Sequence, residues 1–361
     1  MNPTLIGFIR KEIRQTLRDY RMRVVLFLAP VFQLTLFGVA LSNEVQNVRL
    51  AAVFKPNDQV TQEIYQRSIS SGWFIPTHVT GNDIFEWVRS NQADAVLVAP
   101  AEGLSHGLNK GEAQLQFLIN AQNVIKAQAV ERYMNVIVDK VINKNQKPLL
   151  EFKVRALYNP SFETSIYMVP GVMSMLVCMV AILMTSMGVA RERESGTLET
   201  LLVAPIERWE IVLGKTIPYL ILGLFQIPII LIVAILFFSV PVRGSLFMIL
   251  LSSVLFLMNT VSIGLMISTI AINQQQAMLG GFLFLFPAIL LSGLMFPIES
   301  MPLIMRIIAE LNPLTHFIGL LRNIMLKGGD LSYILIHCSA LILLSIFCIV
   351  IALKRFNKIL V

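Results

Sequence analysis

The sequence predicts a polytopic α-helical membrane protein with six transmembrane helices, an N-terminal interfacial helix, a re-entrant hairpin before the last span and an inserted extracytoplasmic α/β domain. The chain is 55% hydrophobic and 14% charged, with a mean hydropathy of +0.70, whereas soluble proteins are about 25% charged. Runs of about 18 or more apolar residues recur, and a helix of that length crosses a hydrocarbon core of roughly 30 Å. One long polar stretch, residues 42–166, interrupts them.

The formal charge of +7 could suggest a nucleic-acid partner, but its distribution favours a membrane. Residues 42–166 hold 12 Lys and Arg against 12 Asp and Glu. The excess positive charge therefore lies at the ends of the apolar segments, as basic residues do in membrane proteins. We expect no nucleic-acid partner.

Residues 1–23 predict a helix that lies in the membrane interface on the cytoplasmic side. Apolar residues from Leu5 to Leu17 recur at helical spacing, and basic residues occupy the other side. These basic residues are Arg10, Lys11, Arg14 and Arg18. A basic amphipathic helix beside a span is typical of interfacial anchors; the alternative is a soluble core helix.

The predicted spans follow from the apolar runs. The first, residues 24–41, is an uncleaved anchor, because the charged region before it is longer than that of a usual signal peptide. The other five lie between residues 167 and 353, at 167–190, 216–238, 245–272, 276–296 and 332–353. Residues 297–328 carry Pro297, Pro302 and Pro313 and predict a re-entrant or interfacial hairpin. Residues 354–361 form a short tail.

Residues 42–166 alternate between strand-like and helix-like segments, which favours a small α/β domain. The predicted strands are 49–54, 93–99, 113–118 and 152–157, and the predicted helices are 59–71, 82–91 and 124–143. His78 and His106 stand alone, so we expect no metal site and no catalytic group.

Cys178, Cys338 and Cys348 all lie in apolar runs and predict buried thiols without a disulfide.

Basic residues near the spans predict the orientation. With the N-terminus in the cytoplasm, that side carries six Lys and Arg before residue 24, four in 191–215 and three in the tail, against four on the opposite side. The positive-inside rule then predicts that both termini are cytoplasmic and that residues 42–166 are outside.

The segment 191–213 between the second and third spans combines charged residues with apolar ones at helical spacing. Gly196 interrupts the helix that leaves the second span, Thr197 can cap a new helix, and Pro205 can open another. This pattern predicts short helices across the membrane face, with a charged side toward a cytosolic partner. An ordinary charged loop is the alternative.

Motifs along nearly the whole chain resemble the ABC type-2 exporter permease family. The segment Arg191-Glu192-Arg193-Glu194-Ser195-Gly196-Thr197-Leu198-Glu199 is similar to that family's signature loop. Further matching motifs are Tyr158-Asn159-Pro160, Val169-Pro170-Gly171, Gln274-Gln275-Gln276-Ala277 and Asn312-Pro313-Leu314. The large domain after the first span resembles the multidrug-exporter-like subgroup.

The resemblance implies that this loop is a coupling helix that docks on a separate cytoplasmic ABC ATPase subunit, and that residues 1–23 are a connecting helix. The coupling residues implied are Arg191, Glu192, Arg193, Glu194, Gly196, Thr197, Leu198, Glu199, Leu202 and Pro205. ATP and Mg would be bound by the partner, and this chain would bind no cofactor. The location implied is the bacterial inner membrane.

Gly214-Lys215-Thr216 resembles the end of a phosphate-binding P-loop, but that motif needs a glycine at the position of Trp209. The sequence therefore predicts that this chain is not itself an ATPase. An ion-driven transporter is disfavoured because the predicted span interiors hold no Asp, Glu, Lys or Arg. A mechanotransmission component and a non-transporting scaffold remain alternatives.

The predicted cargo is hydrophobic or amphipathic, because the polar residues within the spans are uncharged. Possible pathway-lining residues are Gln33, Gln226, Asn259, Met175 and Met179, although methionines in a span also serve plain helix packing. Six spans are few to enclose a pathway, so we expect a second, identical or paralogous permease in the complex. A periplasmic adaptor and membrane lipid are further possible partners.

Overall fold

The computed structural model describes residues 3–41, 45, 47–81, 83–110, 113–122, 124–142, 158–159, 163–196 and 208–359. The chain divides into two compact units. One comprises Met1–Asn43 together with Ala156–Val361, and the other comprises Glu44–Arg155. The predicted coupling residues Thr197, Leu198, Glu199, Leu202 and Pro205 lie outside the described residues, as does the predicted strand 152–157.

The N-terminal part of the helical unit begins with helix α1 (Pro3–Arg18) and the short helix α2 (Tyr20–Arg23). A π-helical turn (Val24–Leu28) then leads into helix α3 (Ala29–Leu41). Leu5, Phe8 and Ile9 are buried while Arg10 is exposed, so the predicted amphipathic character of α1 is present.

The Glu44–Arg155 unit contains a four-stranded sheet. Its strands are β1 (Val48–Val53), β2 (Phe74–Pro76), β3 (Ala95–Val98) and β4 (Gln116–Ile119), in the order β2-β1-β3-β4. β1 is parallel to β2 and β3, and β4 is antiparallel to β3. Its helices are α4 (Gln59–Ser70), α5 (Ile84–Arg89), α6 (Leu104–Lys110) and α7 (Val124–Ile142).

The alternation of strands and helices in this unit agrees with the prediction of a small α/β domain. Helices α4 and α5 supply the crossovers that parallel strands require. Inward-facing side chains of β1 and β3, such as Leu50 and Leu97, pack against Ile64 of α4 and Met134 of α7. The sequence did not predict β2 or α6, because segments of three and seven residues are too short to show a periodic pattern.

The rest of the helical unit is built on helix α8 (Thr164–Glu194), which begins inside the predicted range of the inserted domain. It is followed by α9 (Arg208–Phe238), α10 (Leu246–Ile270) and α11 (Gln274–Leu290). A 3-10 turn (Ile298–Ser300) precedes α12 (Leu303–Glu310), α13 (Pro313–Arg322), a π-helical turn (Asn323–Lys327) and α14 (Leu331–Ile359). Helix α8 packs against α3, α9, α10, α11 and α13.

Among the residues that the structure describes, four helical segments are long and apolar enough to cross a membrane: Thr164–Glu194, Trp209–Phe238, Leu246–Ile270 and Leu331–Arg355. A bent pair, Leu303–Glu310 with Pro313–Lys327, forms an angle of 80° and would make a fifth if it counts as one span. This pair lies in the predicted re-entrant segment. The chain is therefore an α-helical membrane protein, and its described part holds four to five candidate spans.

The first and fifth of the six predicted spans are present as shorter apolar helices, Val24–Ala40 and Gln274–Leu290. The fifth ends six residues earlier than predicted because the chain turns after Leu290. The Ser292 hydroxyl donates to the Ile289 carbonyl, and Gly293 adopts a positive φ of 77°. A residue in the left-handed conformation ends a helix even inside an apolar run, and hydropathy alone does not show where such a residue lies.

Candidate functional site: a buried charge cluster

Four charged side chains meet at one end of the helical unit, and we call them the charged junction: Lys11, Glu12, Glu192 and Lys215. They come from three different elements, α1, the last turn of α8 and the first turns of α9. Lys215 is 0% exposed, Glu12 4% and Glu192 5%. Lysine and glutamate side chains are almost never fully buried unless they are paired, and here these three are buried together.

The ion pairs of the junction link all three elements. The Lys215 Nζ lies 3.3 Å from the Glu12 Oε1 and is also paired with the Glu192 carboxylate. The Lys11 Nζ lies 2.9 Å from the Glu12 Oε1 and 3.3 Å from the Glu192 Oε1. Two cations and two carboxylates give a neutral cluster, which is the arrangement that makes burial tolerable.

The position of Glu12 follows from the helical spacing of α1. Residues 5, 8, 9 and 12 fall on one helix face, so Glu12 continues the buried stripe of Leu5, Phe8 and Ile9. Burial opposes ionisation of the Glu12 carboxyl, but the charge of Lys215 and the hydrogen bond from Lys11 outweigh it, and its pKa lies below the ordinary value. Glu12 is therefore held as a carboxylate.

Close packing of α1 on α9 brings the charges together. A Cβ added to Gly214 would lie 2.0 Å from Cδ1 of Phe8, so only glycine allows this approach. The Phe8 ring also lies beneath both ammonium groups, with Lys11 Nζ at 5.4 Å and Lys215 Nζ at 5.5 Å from its centroid. Cation–π attraction thus adds to the ion pairs.

The last residues of α8 make further contacts with other helices. The Arg191 Nη1 lies 3.3 Å from the Asp19 Oδ2, and its Nε donates to Gln274 Oε1 at 3.2 Å. Arg193 donates to the Ala271 carbonyl, just after α10, at 3.0 Å. The Glu194 Oε2 accepts from the backbone N and the Nε2 of Gln274, at 3.2 and 3.1 Å.

These contacts complement the ends of the helices that they join. The guanidinium of Arg193 meets the carbonyl end of α10, and the carboxylate of Glu194 meets the amide end of α11. Helix α8 itself ends at Glu194, and Gly196 follows with a φ of 69°, a left-handed stop of the kind predicted from its sequence position. The end of α8 is therefore fixed to the elements around it.

The structure separates the predicted site residues into groups. Of the interfacial residues, Lys11 joins the junction while Arg10, Arg14 and Arg18 are exposed. Arg191, Glu192, Arg193 and Glu194 contact other helices of this chain. The contacting residues that the sequence analysis did not assign to a site are Glu12, Asp19, Lys215 and Gln274. A carboxylate at a buried position of an amphipathic helix is the sequence signal for Glu12.

The predicted pathway-lining residues do not form one group. Asn259 is 0% exposed, and its Nδ2 donates to the Leu341 carbonyl and to Ser345 Oγ, which joins α10 to α14. Gln226 is 1% exposed, and neither end of its amide has a hydrogen-bond partner among the residues that the structure describes. Gln33 is half-buried, and so are Met175 and Met179.

Gly214, Lys215 and Thr216 lie inside α9, and the Lys215 ammonium is engaged by Glu12 and Glu192. A P-loop instead needs an open glycine-rich turn whose backbone amides surround phosphate. Among the described residues, no group of three His, Cys, Asp or Glu is placed to hold a metal ion.

Comparison with known proteins agrees with the resemblance found in the sequence. Residues 20–354 match the family model described as ABC-2 family transporter protein. The chain is 34% identical over 340 residues to the probable multidrug ABC transporter permease YbhR of Escherichia coli, with 90% of each chain covered. It is 28% identical over 335 residues to the probable multidrug ABC transporter permease YbhS, covering 88% of this chain and 87% of YbhS.

A further relative is the inner membrane transport permease YhhJ of Escherichia coli, 26% identical over 360 residues, with 96% of this chain and 95% of YhhJ covered. The family model spans nearly all of the chain, including almost all of the candidate spans and, of the charged junction, Glu192 and Lys215; Lys11 and Glu12 precede the matched residues. The chain therefore belongs to the ABC-2 transporter family, as a membrane permease.

Proposed function

We propose that this chain is the transmembrane permease subunit of an exporter that moves hydrophobic or amphipathic compounds out of the cytoplasm or its inner leaflet. The energy comes from ATP hydrolysed by a separate cytoplasmic ATPase subunit, which binds the ATP and Mg. The names of YbhR and YbhS, both probable multidrug ABC transporter permeases, support the exporter class.

The main structural support for this proposal is the charged junction. It ties α1 to the end of α8 and the start of α9, the two helices that flank residues 197–207. Separating one partner from a buried ion pair costs about 3–5 kcal/mol. A force applied to residues 197–207 would therefore move the three elements together, as a rigid body, rather than displace that segment alone.

The orientation follows from the basic residues. The junction end of the helices carries the excess of Lys and Arg and is the cytoplasmic end, so both termini are cytoplasmic and the α/β unit is extracytoplasmic. On that arrangement the bent pair α12–α13 is a re-entrant hairpin on the outer side. Six helices, including the two shorter apolar ones, then enter the inner membrane of the bacterium.

The complex contains a second permease, either identical or paralogous, and two ATPases. Large apolar residues remain exposed along α14, among them Leu335, Leu343 and Phe347, and membrane lipid or the second permease would cover them. The α/β unit is the part of the chain that a periplasmic adaptor could reach.

The test is reconstitution of the chain with its ATPase in liposomes and measurement of ATP-dependent movement of fluorescent amphiphiles. We expect movement with active ATPase and none with an ATPase whose own P-loop lysine is replaced. Absence of ATP-dependent movement for every amphiphile tried would refute the exporter assignment. A crosslinked monomer as the active species would refute the paired permease.

Glu194 and Glu199 provide a sharper test of coupling. We expect Glu194→Lys and Glu199→Lys to reduce substrate-stimulated ATPase activity several-fold without reducing membrane insertion, because each reverses a charge beside the docking surface. Glu86→Lys, the same charge reversal at an exposed position of α5 in the α/β unit, is the matched control. Wild-type coupling in both glutamate variants would contradict the docking role.

A further inference from the structure

A polar cavity of about 710 Å³ lies at the end of the helical unit opposite the charged junction. Helix α8 reaches both sites: Tyr167, near its start, lines the cavity, and Glu192, near its end, belongs to the junction. Helices α12, α13 and α14 supply much of the remaining wall. The cavity is therefore separate from the residues that are proposed to couple to the ATPase.

Arg322 places a guanidinium group in the wall of this cavity. Its Nε donates to the Tyr167 carbonyl at 3.2 Å, and its Nη1 donates to the Tyr167 hydroxyl at 2.9 Å and the Gly293 carbonyl at 3.0 Å. The guanidinium carbon also lies 3.7 Å from the centroid of the Tyr167 ring. These contacts hold the side chain in place, but every partner is neutral.

The positive charge of Arg322 is not balanced by an acid. Its Nη2 is buried without an acceptor, and among the described residues no carboxylate oxygen lies within 4.0 Å of its nitrogens. A partly buried cation without a counter-ion is costly, so an anionic group in the cavity would be stabilised beside it. A guanidinium also matches the planar geometry of phosphate and carboxylate groups.

Other lining residues support an anionic ligand with a hydroxyl group. Lys327 and Arg306 line the same cavity, as do Glu299 and Glu310, so the formal charge of the lining including Arg322 is positive by one. Asn323 is 4% exposed, and its Oδ1 is a buried acceptor without a donor among the described residues. A ligand hydroxyl can supply that donor.

The wall formed by α12 indicates where an apolar tail would lie. Arg306 and Glu310 of this helix line the cavity, and Leu303 and Ile307, which follow next around the helix surface, are 71% and 56% exposed. A helix with one polar and one strongly apolar face is typical of the membrane interface. A molecule in this cavity therefore has apolar surface directly beside it.

We propose that this cavity binds the anionic, hydroxyl-bearing head group of an amphiphile, with Arg322 as its main counter-ion and its tail alongside α12. The inference goes beyond the proposed function because it concerns binding to the permease alone. Its test needs no ATPase. If the permease does not bind the amphiphile, the exporter assignment still stands; if no ATP-dependent transport is found, the binding proposal still stands.

The experiment measures binding of a tail-labelled phosphatidylglycerol to the purified full chain in neutral detergent. We expect unlabelled phosphatidylglycerol to compete at least tenfold better than phosphatidylcholine of the same acyl chains, and glycerol phosphate to compete poorly. Equal competition by phosphatidylcholine would overturn the anionic site. Equal competition by glycerol phosphate would overturn the assignment to an amphiphile.

Two variants and a matched control locate the site. We expect Arg322→Gln to weaken phosphatidylglycerol binding at least tenfold. Because that change also removes contacts to Tyr167 and Gly293, Lys327→Glu serves as a second variant: Lys327 is exposed at the edge of the cavity, and a carboxylate there should weaken binding about fivefold. Lys354→Glu, the same charge reversal at an exposed position about 25 Å along α14 from His337, should bind as wild type. Unchanged binding in Lys327→Glu, or equal loss in Lys354→Glu, would overturn the proposal.

Discussion

At the scale of single residues, Lys215 decides whether two buried carboxylates can coexist. Glu12 and Glu192 both contact its ammonium, and all three side chains are almost fully withdrawn from solvent. Lys11 also contacts both carboxylates, but its side chain is half exposed and its charge is better screened. The buried negative charges therefore depend mainly on Lys215.

We expect Lys215→Met to lower the free energy of unfolding by about 3–5 kcal/mol, because it leaves buried carboxylates without their buried cation. Thermal unfolding in detergent measures the loss. Lys354→Met, the same change at an exposed position near the end of α14, is the control. The double variant Lys215→Met with Glu192→Gln should recover part of the stability, since the Lys11–Glu12 pair remains. Equal stability of Lys215→Met and Lys354→Met would contradict this role of Lys215.

Asp94 has a comparable role in the α/β unit. It accepts from the side chain and backbone N of Arg49 and pairs with Lys126 at 2.9 Å. Burial of the Asp94 carboxyl would raise its pKa, but the hydrogen bonds from Arg49 and Lys126 outweigh that effect and lower it from 3.8 to about 2. The folded state therefore holds this carboxylate ionised at a pH where the unfolded chain binds a proton.

Because the folded pKa lies below the unfolded one, the stabilisation is full above pH 3.8 and is lost as the pH falls toward 2. We expect Asp94→Asn to destabilise the unit by roughly 1–2 kcal/mol at pH 7, after allowance for screening of the partly exposed partners. The difference from wild type should vanish near pH 2. Fluorescence of Trp73 and Trp87 in a Trp209→Phe background follows the unfolding of this unit. If the difference in unfolding free energy between wild type and Asp94→Asn does not change with pH, the ionised Asp94 carboxylate does not have this stabilising role.

At the scale of elements, α1 is held against α9 by contact as well as by charge. Gly214 lies beneath the Phe8 ring, where even a methyl group would be 2.0 Å from Cδ1. In most helices a change from glycine to alanine adds about 1 kcal/mol of helix propensity. At Gly214 the steric conflict opposes that gain.

We expect Gly214→Ala to loosen α1, with a net cost of about 1–3 kcal/mol from overpacking. Hydrogen exchange of the α1 amides should become faster, and coupling to the ATPase should weaken. Gly7→Ala is the matched control: it makes the same change on α1 at a position with nothing within 4 Å of the added Cβ. Unchanged exchange of the α1 amides in Gly214→Ala would contradict the role of this contact in holding α1.

The elements that the sequence predicted are those with a long periodic pattern. The apolar runs of α8, α9, α10 and α14 and the amphipathic α1 were predicted within a few residues at most ends. The turn at Gly293 and the 80° bend before α13 depend on local backbone geometry, which apolar composition conceals. The charged junction was not predicted, because Lys11 and Lys215 meet residues 181 and 203 positions away. A single sequence does not report such pairings.

At the scale of the whole molecule, the proposed function requires that force from a separate ATPase subunit passes from the contact with that subunit to the far end of the permease helices. Helix α8 has 31 residues and so spans about 46 Å at 1.5 Å per residue. It begins beside Arg322 and the polar cavity and ends in the charged junction. Any displacement of the junction as a unit is therefore also a displacement of one wall of that cavity.

If α1, α8 and α9 move as one body, a covalent link between α1 and α9 should not stop transport. Phe8→Cys with Gly214→Cys, in a chain whose three native cysteines are replaced by alanine, provides that link. The Cδ1 of Phe8 would be 2.0 Å from a Cβ at position 214 and is roughly 2.5 Å from its own Cβ, so the two Cβ atoms are at most about 4.5 Å apart, within disulfide range. We expect the oxidised protein to retain most of the ATP-driven transport of the same sample after reduction. If oxidation abolishes transport and reduction restores it, α1 and α9 must separate in each cycle, and the junction would be a contact that opens rather than a rigid joint.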